Sequence, residues 1–419
     1  MNKKLFILSI SLLTAYFTFP TTGFAQNNNT SSPYSMYGLG ELRSQTNAFN
    51  SAMGNAGIGL KSQRFLNTTN PASYYGIDSL NFILEIGLNG KLSRFESQGK
   101  TGKLSDVNFS YLAMGFRVNN WVSAGIGLNP YSSTGYEINT MAMVDGTMTE
   151  YPLDITGSGD ISRAYANLSF LPAKNLALGI KTSYLFGSLT QTQYHNLAYF
   201  GSNSITNETT DFFHNFYWEF GAQYAFDVKK YSLSIGAIYN PGQKLVTKRE
   251  NLTYNSSGAI FQEESENNDD FVIPEEFGLG ISISNNKNLL YVLDGGIQKW
   301  SEHDYGIKRV ELKNNPYIRT GLEYTPSTNF LADFYKRVNY RVGFQYAKSY
   351  LDLRNNQLNE TTVSLGFGLP IRNYLSRIDV SIEGGQIGTT ANRLIQERFI
   401  RVRVGLSLKD LWFQHRRFN

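Results

Sequence analysis

Ile400-Arg401-Val402-Arg403-Val404-Gly405-Leu406-Ser407-Leu408 is the stretch that decides the fold. Its odd and even positions differ in kind. Successive side chains of an extended chain point to opposite sides, so Ile400, Val402, Val404, Leu406 and Leu408 share one face of a strand. Arg401, Arg403, Gly405 and Ser407 share the other. The same period recurs upstream. Ile378, Val380 and Ile382 alternate with Arg377, Asp379, Ser381 and Glu383. Val363, Leu365, Phe367 and Leu369 alternate with Ser364, Gly366 and Gly368, and Tyr340, Val342, Phe344 and Tyr346 with Arg341, Gly343, Gln345 and Ala347. Tyr231 to Ala237 and Leu112 to Val118 repeat the pattern earlier in the chain.

A soluble β-sandwich also alternates, but its strands are usually about five or six residues. Many runs here reach about ten, the length that crosses a bilayer at a tilt. Short links at Asn119-Asn120, Pro172 to Lys174, Lys229-Lys230, Asn286-Lys287 and Arg372 to Tyr374 alternate with polar stretches at 97–103, 136–157, 196–210, 251–269 and 304–315. One short-side link, 327–336, is longer, and two late links on the other side, 354–358 and 388–395, are shorter. Short turns on one side and long loops on the other mark a transmembrane barrel. The expected fold is all-β: a transmembrane antiparallel β-barrel of about 14 strands over residues 79–419, with both termini in the periplasm.

Composition agrees. The 419 residues include 27 Tyr, 28 Phe and 38 Gly, and only 17% are charged. The mean hydropathy is −0.31, and no apolar run past the first 25 residues approaches the roughly 18 that a membrane helix needs. A barrel reconciles these numbers, because only alternate residues face lipid. The absence of cysteine excludes disulfides, thiol catalysis and thiolate metal sites. A net charge of +4, dispersed along the chain, gives no reason to expect nucleic acid as a partner.

Residues 1–25 read as a signal peptide: Lys3 and Lys4, then an apolar Leu5 to Phe19, then small residues at Gly23 and Ala25. The alternative, a retained anchor, is disfavoured by the short apolar run and the small-residue site. Residues 26–78 form an N-terminal extension and plug. Its first seven residues are polar, and the remainder holds Gly38, Gly40, Gly54, Gly57 and Gly59 and the run Asn70-Pro71-Ala72-Ser73. A barrel of about 14 strands leaves a lumen its own side chains cannot fill. Residues 33–78 are the available filler. Proline inside a strand breaks the ladder. Asn129-Pro130 in the third strand is therefore a candidate lateral opening, unless the strand has already left the bilayer there. Pro241-Gly242 interrupts the seventh run, and Pro274 stands near the start of the eighth.

The Gly54-Asn55-Ala56-Gly57 and Asn70-Pro71-Ala72 motifs, the proline-bearing third strand and Ile273 to Gly280 leading to Asp294 and Lys299-Trp300-Ser301 resemble the FadL-like outer-membrane transporters (long-chain fatty acid transporter family). The stretch from Gly321-Leu322-Glu323-Tyr324 to Trp412-Phe413 resembles a Bacteroidota-type branch. The resemblance spans most of the mature chain, with few identities. It implies a 14-stranded barrel in the cell outer membrane, a hatch inside it and a lateral opening at a kinked third strand. Its typical members pass hydrophobic molecules. Some Bacteroidota relatives are instead subunits of outer-membrane machines for protein secretion or assembly. A hydrophobic ligand, outer-membrane lipid and other complex subunits are the partners so implied.

The inward face carries Arg341, Arg377, Asp379, Glu383, Arg401 and Arg403, expected to form a lumen charge network by pairing across neighbouring strands. A network that fixes the plug is one reading; a path for a polar solute is the other. Large apolar candidates for a ligand lining are few: Phe49, Ile58, Leu60, Phe65 and Leu66. His195 and His214, with Asp211 near them, are a weak metal or protease candidate, and Glu263 to Asp270 a weak calcium candidate. His415-Arg416-Arg417 forms a basic tail. No nucleophile elbow, phosphate loop or His-Glu-x-x-His motif occurs. The chain is expected to be no enzyme, with no catalytic residue, no metal and no cofactor.

Overall fold

The structure is a computed structural model that describes residues 32–144, 146–197, 201–303, 310–329, 331–371 and 376–411. The signal-peptide expectation and the basic tail lie outside the described residues. The wall is one closed antiparallel sheet. Its strands are β1 (Asn81–Ser97), β2 (Lys100–Arg117), β3 (Val122–Met143), β4 (Glu150–Ala173), β5 (Leu176–His195) and β6 (Ile205–Val228). Then come β7 (Tyr231–Asn240 and Gln243–Asn255), β8 (Ile260–Ile273 and Glu275–Ser284), β9 (Leu289–Lys299) and β10 (Val310–Leu312 and Asn315–Tyr324). The last four are β11 (Asn339–Leu353), β12 (Gln357–Pro370), β13 (Arg377–Ile387) and β14 (Gln396–Leu411). With the interrupted strands counted as continuous, the ring has 14 members. It closes where β14 pairs with β1, from Gln396↔Glu96 to Leu411↔Asn81.

The alternation sorts as the periodicity predicts. Ile400 is 54% exposed on the outer face, whereas Arg403 is 3% exposed on the inner one. On β6 the large exposed apolar side chains Phe216, Trp218, Phe220, Tyr224 and Val228 are confined to the half nearer the short turns. That half is the apolar belt. The wall continues well beyond it.

Of the polar stretches read as long loops, 97–103, 136–157 and 251–269 are mostly strand; 304–309 lies outside the described residues. β3 runs to Met143 and β4 starts at Glu150; β7 runs to Asn255 and β8 starts at Ile260. β4 and β6 reach 24 residues each, more than twice the roughly ten that cross a bilayer. The physical reason is plain. Alternation betrays a strand only where one face meets an apolar medium, and beyond the belt both faces of these hairpins meet water. Glu263 to Asp270 accordingly lies on β8 rather than in a loop, where Asp269 pairs with Lys244 at 3.5 Å and Asp270 with Arg249 at 3.7 Å. Pro274 consequently sits in the middle of its strand, not near the start.

Pro241-Gly242 and Pro274 interrupt adjacent strands at neighbouring rows, since Asn240 pairs with Glu276 and Gln243 with Ile273. Opposite this defect the β6–β7 ladder lapses between Phe213↔Thr247 and Phe220↔Tyr239. The Asn215 side chain fills in, donating to the Val246 carbonyl at 2.9 Å and accepting from its N–H at 3.1 Å.

Residues 32–78 lie inside the ring; we call them the inner segment. They comprise a 3-10 turn at Pro33–Met36, a two-residue strand at Glu41–Leu42, a short helix α1 (Ala48–Ala52) and a second 3-10 turn at Pro71–Gly76. The buried apolar clusters lie between this segment and the wall. One gathers Leu39 against Ile161, Leu185, Phe213, Leu245 and Phe271; another gathers Phe49, Met53, Ala56, Leu60 and Phe65 with Val292.

Candidate functional site: the inner segment and the split between two wall strands

The sequence builds the inner segment from small capping units. Asn47 caps α1 by accepting from Asn50 N at 2.9 Å. Gly54 and Asn55 then turn the chain with φ of +66° and +62°, a conformation that favours glycine and asparagine. Asn70 caps the second 3-10 turn by accepting from Ala72 N at 2.9 Å, with Pro71 at the first position. Proline suits that place because its missing N–H would have no partner there. The Asn70 amide also donates to Ile58 O at 2.8 Å and to Ala222 O and Ala237 O on the wall at 3.2 and 3.3 Å. Gly54, Gly57, Asn70, Pro71 and Ala72 therefore belong to one buried construction.

Buried charges fasten it to the wall. Asp294 on β9 accepts from Gly57 N at 2.6 Å and Ile58 N at 2.9 Å. Glu85 on β1 accepts from Leu66 N at 3.0 Å and Ser407 Oγ at 2.7 Å. Wall glycines admit the backbone. A Cβ on Gly343 would stand 2.0 Å from Gly54 N, and one on Gly236 would stand 2.0 Å from Ile58 O.

The six residues of the expected charge network divide into two groups. In the first, Asp379 accepts from Arg341 at 2.7 Å and Arg377 at 2.5 Å, and Arg341 also reaches Glu323 at 2.6 Å. The Phe49 ring lies under both guanidinium groups, 4.2 Å from Arg341 and 5.2 Å from Arg377, and is stacked on Phe65 at 3.9 Å. In the second, Glu383 pairs with Arg401 at 3.0 Å and Arg403 at 3.8 Å. Arg403 also donates to Ser51 and to Thr46 Oγ1 on the inner segment.

The third strand departs from the ring. β2 pairs with β3 only from Arg117↔Ser123 to Leu112↔Leu128. Past Leu128, β3 continues on β4, and β2 continues on β1. The wall is split there. On the inner side Glu41 and Leu42 pair with Ser133 and Ser132, and Arg43 N donates to Tyr131 O at 2.9 Å. Gln45 donates to Pro130 O at 3.2 Å. Asn129 donates to the Gln45 side chain and accepts from Arg163 Nε at 3.1 Å. Lys91 holds Glu41 and Glu397, each at 2.8 Å. Burial pushes the Glu41 carboxyl up, but the Lys91 ammonium and then the Arg43 guanidinium outweigh it and hold it well below the usual carboxylate range.

Three cavities meet this site. One of about 250 Å³ lies at the split, bordered by Glu41, Arg43, Asn108, Phe109, Pro130 and Arg403. One of about 320 Å³ lies against the inner segment, with Gln45, Lys181, Glu219, Arg319 and Arg401 on its walls. A third, of about 740 Å³, is bordered by Phe49, Leu60, Arg64, Phe65 and Arg377. The five expected lining residues are nonetheless 4% exposed or less, packed rather than open.

A family model described as BamG matches residues 1–419. The chain belongs to the BamG family. This BamG-family chain is similar in fold to several solved transporters. The Ralstonia pickettii toluene transporter TbuX superposes with a TM-score of 0.59 at 14% identity, covering 86% of this chain and 97% of that one. The P. putida toluene transporter TodX gives 0.58 at 16%, covering 88% and 99%. A Pseudomonas aeruginosa FadL homologue gives 0.57 at 12%, covering 88% and 98%. The sequence resemblance to FadL-like barrels is thus shown at the level of the fold. Comparison with curated proteins finds no match.

Other sequence expectations fare differently. His195 lies opposite Ile205, and His214 opposite Phe186, far along the β5–β6 ladder. Asp211 is engaged by Arg249 at 2.9 Å through two nitrogens. These residues form no common site. Sequence reading missed three contributors to the BamG-family interior: Glu85, Lys91 and the group of Arg163, Lys181 and Glu219, in which Glu219 pairs with both cations at 3.2 and 2.9 Å. Glu85 had a usable signal, as the one charge in Phe82-Ile83-Leu84-Glu85-Ile86.

Proposed function

We propose that this chain is an exported outer-membrane barrel, its termini periplasmic, through which small hydrophobic molecules pass passively. Residues 33–78 act as the hatch, and the split beside Asn129 and Pro130 is the lateral exit. The observation that carries this reading is the broken β2–β3 ladder, whose loose β3 edge is held from inside by Glu41 and Leu42 rather than by β2. The fold shared with toluene transporters supports the ligand class. No catalytic step, metal or cofactor enters.

The test is a cysteine pair. Leu42 and Ser132 are register partners, so L42C with S132C ties the hatch to the strand edge when oxidised. Uptake of a monoaromatic probe into liposomes carrying the barrel is expected to fall on oxidation and recover on reduction. Equal uptake in both states, at the level of protein-free liposomes, would refute transport.

A second reading is an accessory subunit of an outer-membrane protein assembly or secretion complex. It is favoured by the charged walls of the 320 Å³ cavity, which suit an apolar molecule poorly. Purification from native membranes in mild detergent decides it. Large partners at stoichiometric yield support the subunit, and a lone barrel counts against it.

A further inference from the structure

The outer face of β14, β1 and β2 carries an arrangement that the interior does not use. Arg398 pairs in register with Arg94, and Arg94 with Lys103, so three cations stand side by side on adjacent strands. All three are exposed, and none makes an ion pair with a described residue. Like charges directly opposite each other destabilise a sheet. At the next row inward stand Ile400 and Leu92, 54% and 60% exposed, with Ser105 beside them. A cavity of about 530 Å³ runs along this patch from Lys103 and Arg398 down to Leu92 and Ile400. The nearest acidic residue on this face by register is Glu96, opposite Gln396 and Thr101, one row farther out.

We infer that this patch binds a membrane lipid with a multiply phosphorylated headgroup. The cation row lies at the edge of the apolar belt, where a lipid headgroup meets water, and the groove beneath takes an acyl chain. Three strands place the outer cations roughly 10 Å apart, a span that suits more than one phosphate. Phosphate offers each cation the counter-charge that the protein withholds. Lipid already surrounds this face of a membrane barrel, and the site selects among lipids by charge.

The experiment uses the full-length protein in neutral detergent, titrated with lipid A, with phosphate-free lipid A and with inorganic phosphate, and read by native mass spectrometry. Lipid A adducts are expected to survive on the wild type. In R94Q/K103Q/R398Q they weaken on the order of a hundredfold, from the additive attraction of three basic side chains for anionic lipid. K244Q, on the far wall, is expected to match wild type, and heat-dependent gel mobility verifies that each variant is folded. Equal retention by the triple variant, or equal retention of the phosphate-free lipid, overturns the assignment. Displacement of lipid A by millimolar inorganic phosphate overturns the lipid and leaves a bare anion site. A photocrosslinker at Ser105 that captures protein and no lipid in native membranes overturns it as well.

Discussion

Asp294 shows how single residues hold the interior. Its carboxylate collects two backbone N–H groups from the glycine-bearing turn of the inner segment. Asp294→Ala leaves both donors buried and unpaired. It is expected to cost about 3 kcal/mol of local docking stability, seen as faster hydrogen exchange at Gly57 and Ile58 while the barrel keeps its folded gel mobility. Unchanged exchange would mean the turn is held by something else. Gly343→Val acts from the opposite direction. The added Cβ meets backbone atoms of Met53 and Gly54, which cannot rotate away, so the inner segment is expected to be displaced and cut by added protease. In the sequence Gly343 was visible only as a small member of an alternating face, and Asp294 only as part of the family resemblance. Which inward glycine meets which turn depends on long-range packing, and no local pattern encodes that. The charge network shows the same limit. Its six members were legible from alternation, but their division into two groups also involves Ser51 and Phe49, which lie far away in the chain.

At the scale of elements, the informative case is β3. A proline in a strand signalled a ladder defect, yet the sequence could not say which neighbour would be lost or what would replace it. The replacement is a two-residue strand, far too short to leave a periodic trace. Its grip depends on Glu41. Because the folded state holds this carboxyl below its ordinary value, its contribution to stability is complete above the unfolded pKa and is lost only as pH falls through the lower folded one. Exchange protection around Glu41 and Leu42 is therefore expected to be unchanged from about pH 7 to about pH 5 and to fail only below the usual carboxylate range. Loss of protection near pH 6 would contradict this. The long hairpins teach a complementary lesson: Ile260 to Asp269 reads as loop because its two faces meet the same solvent, although from Gln262 to Asn268 it is laddered to β7 without a break.

For the whole molecule, the barrel and its strand number were legible because lipid imposes one face on every strand. That constraint predicts the cost of violating it. Val402→Arg places a charge on the outer face near the middle of β14. It is expected to destabilise the barrel by about 2–4 kcal/mol, measured as a lower denaturant midpoint in reversible folding into lipid vesicles. Substituting Ser381, on the inward face, by Ala is expected to leave that midpoint nearly unchanged.

The ring closes by pairing the last strand with the first, and the inner segment stands immediately before that first strand. A segment synthesised before the wall is thus sealed in by the wall's last strand. The seam between Asn81 and Leu411 is therefore expected to stay apart until residues 32–78, with their capped turns, are seated. Biogenesis of this protein is then an assembly around a core rather than the filling of a pore. A chain whose segment cannot dock would be expected to stall with that seam open.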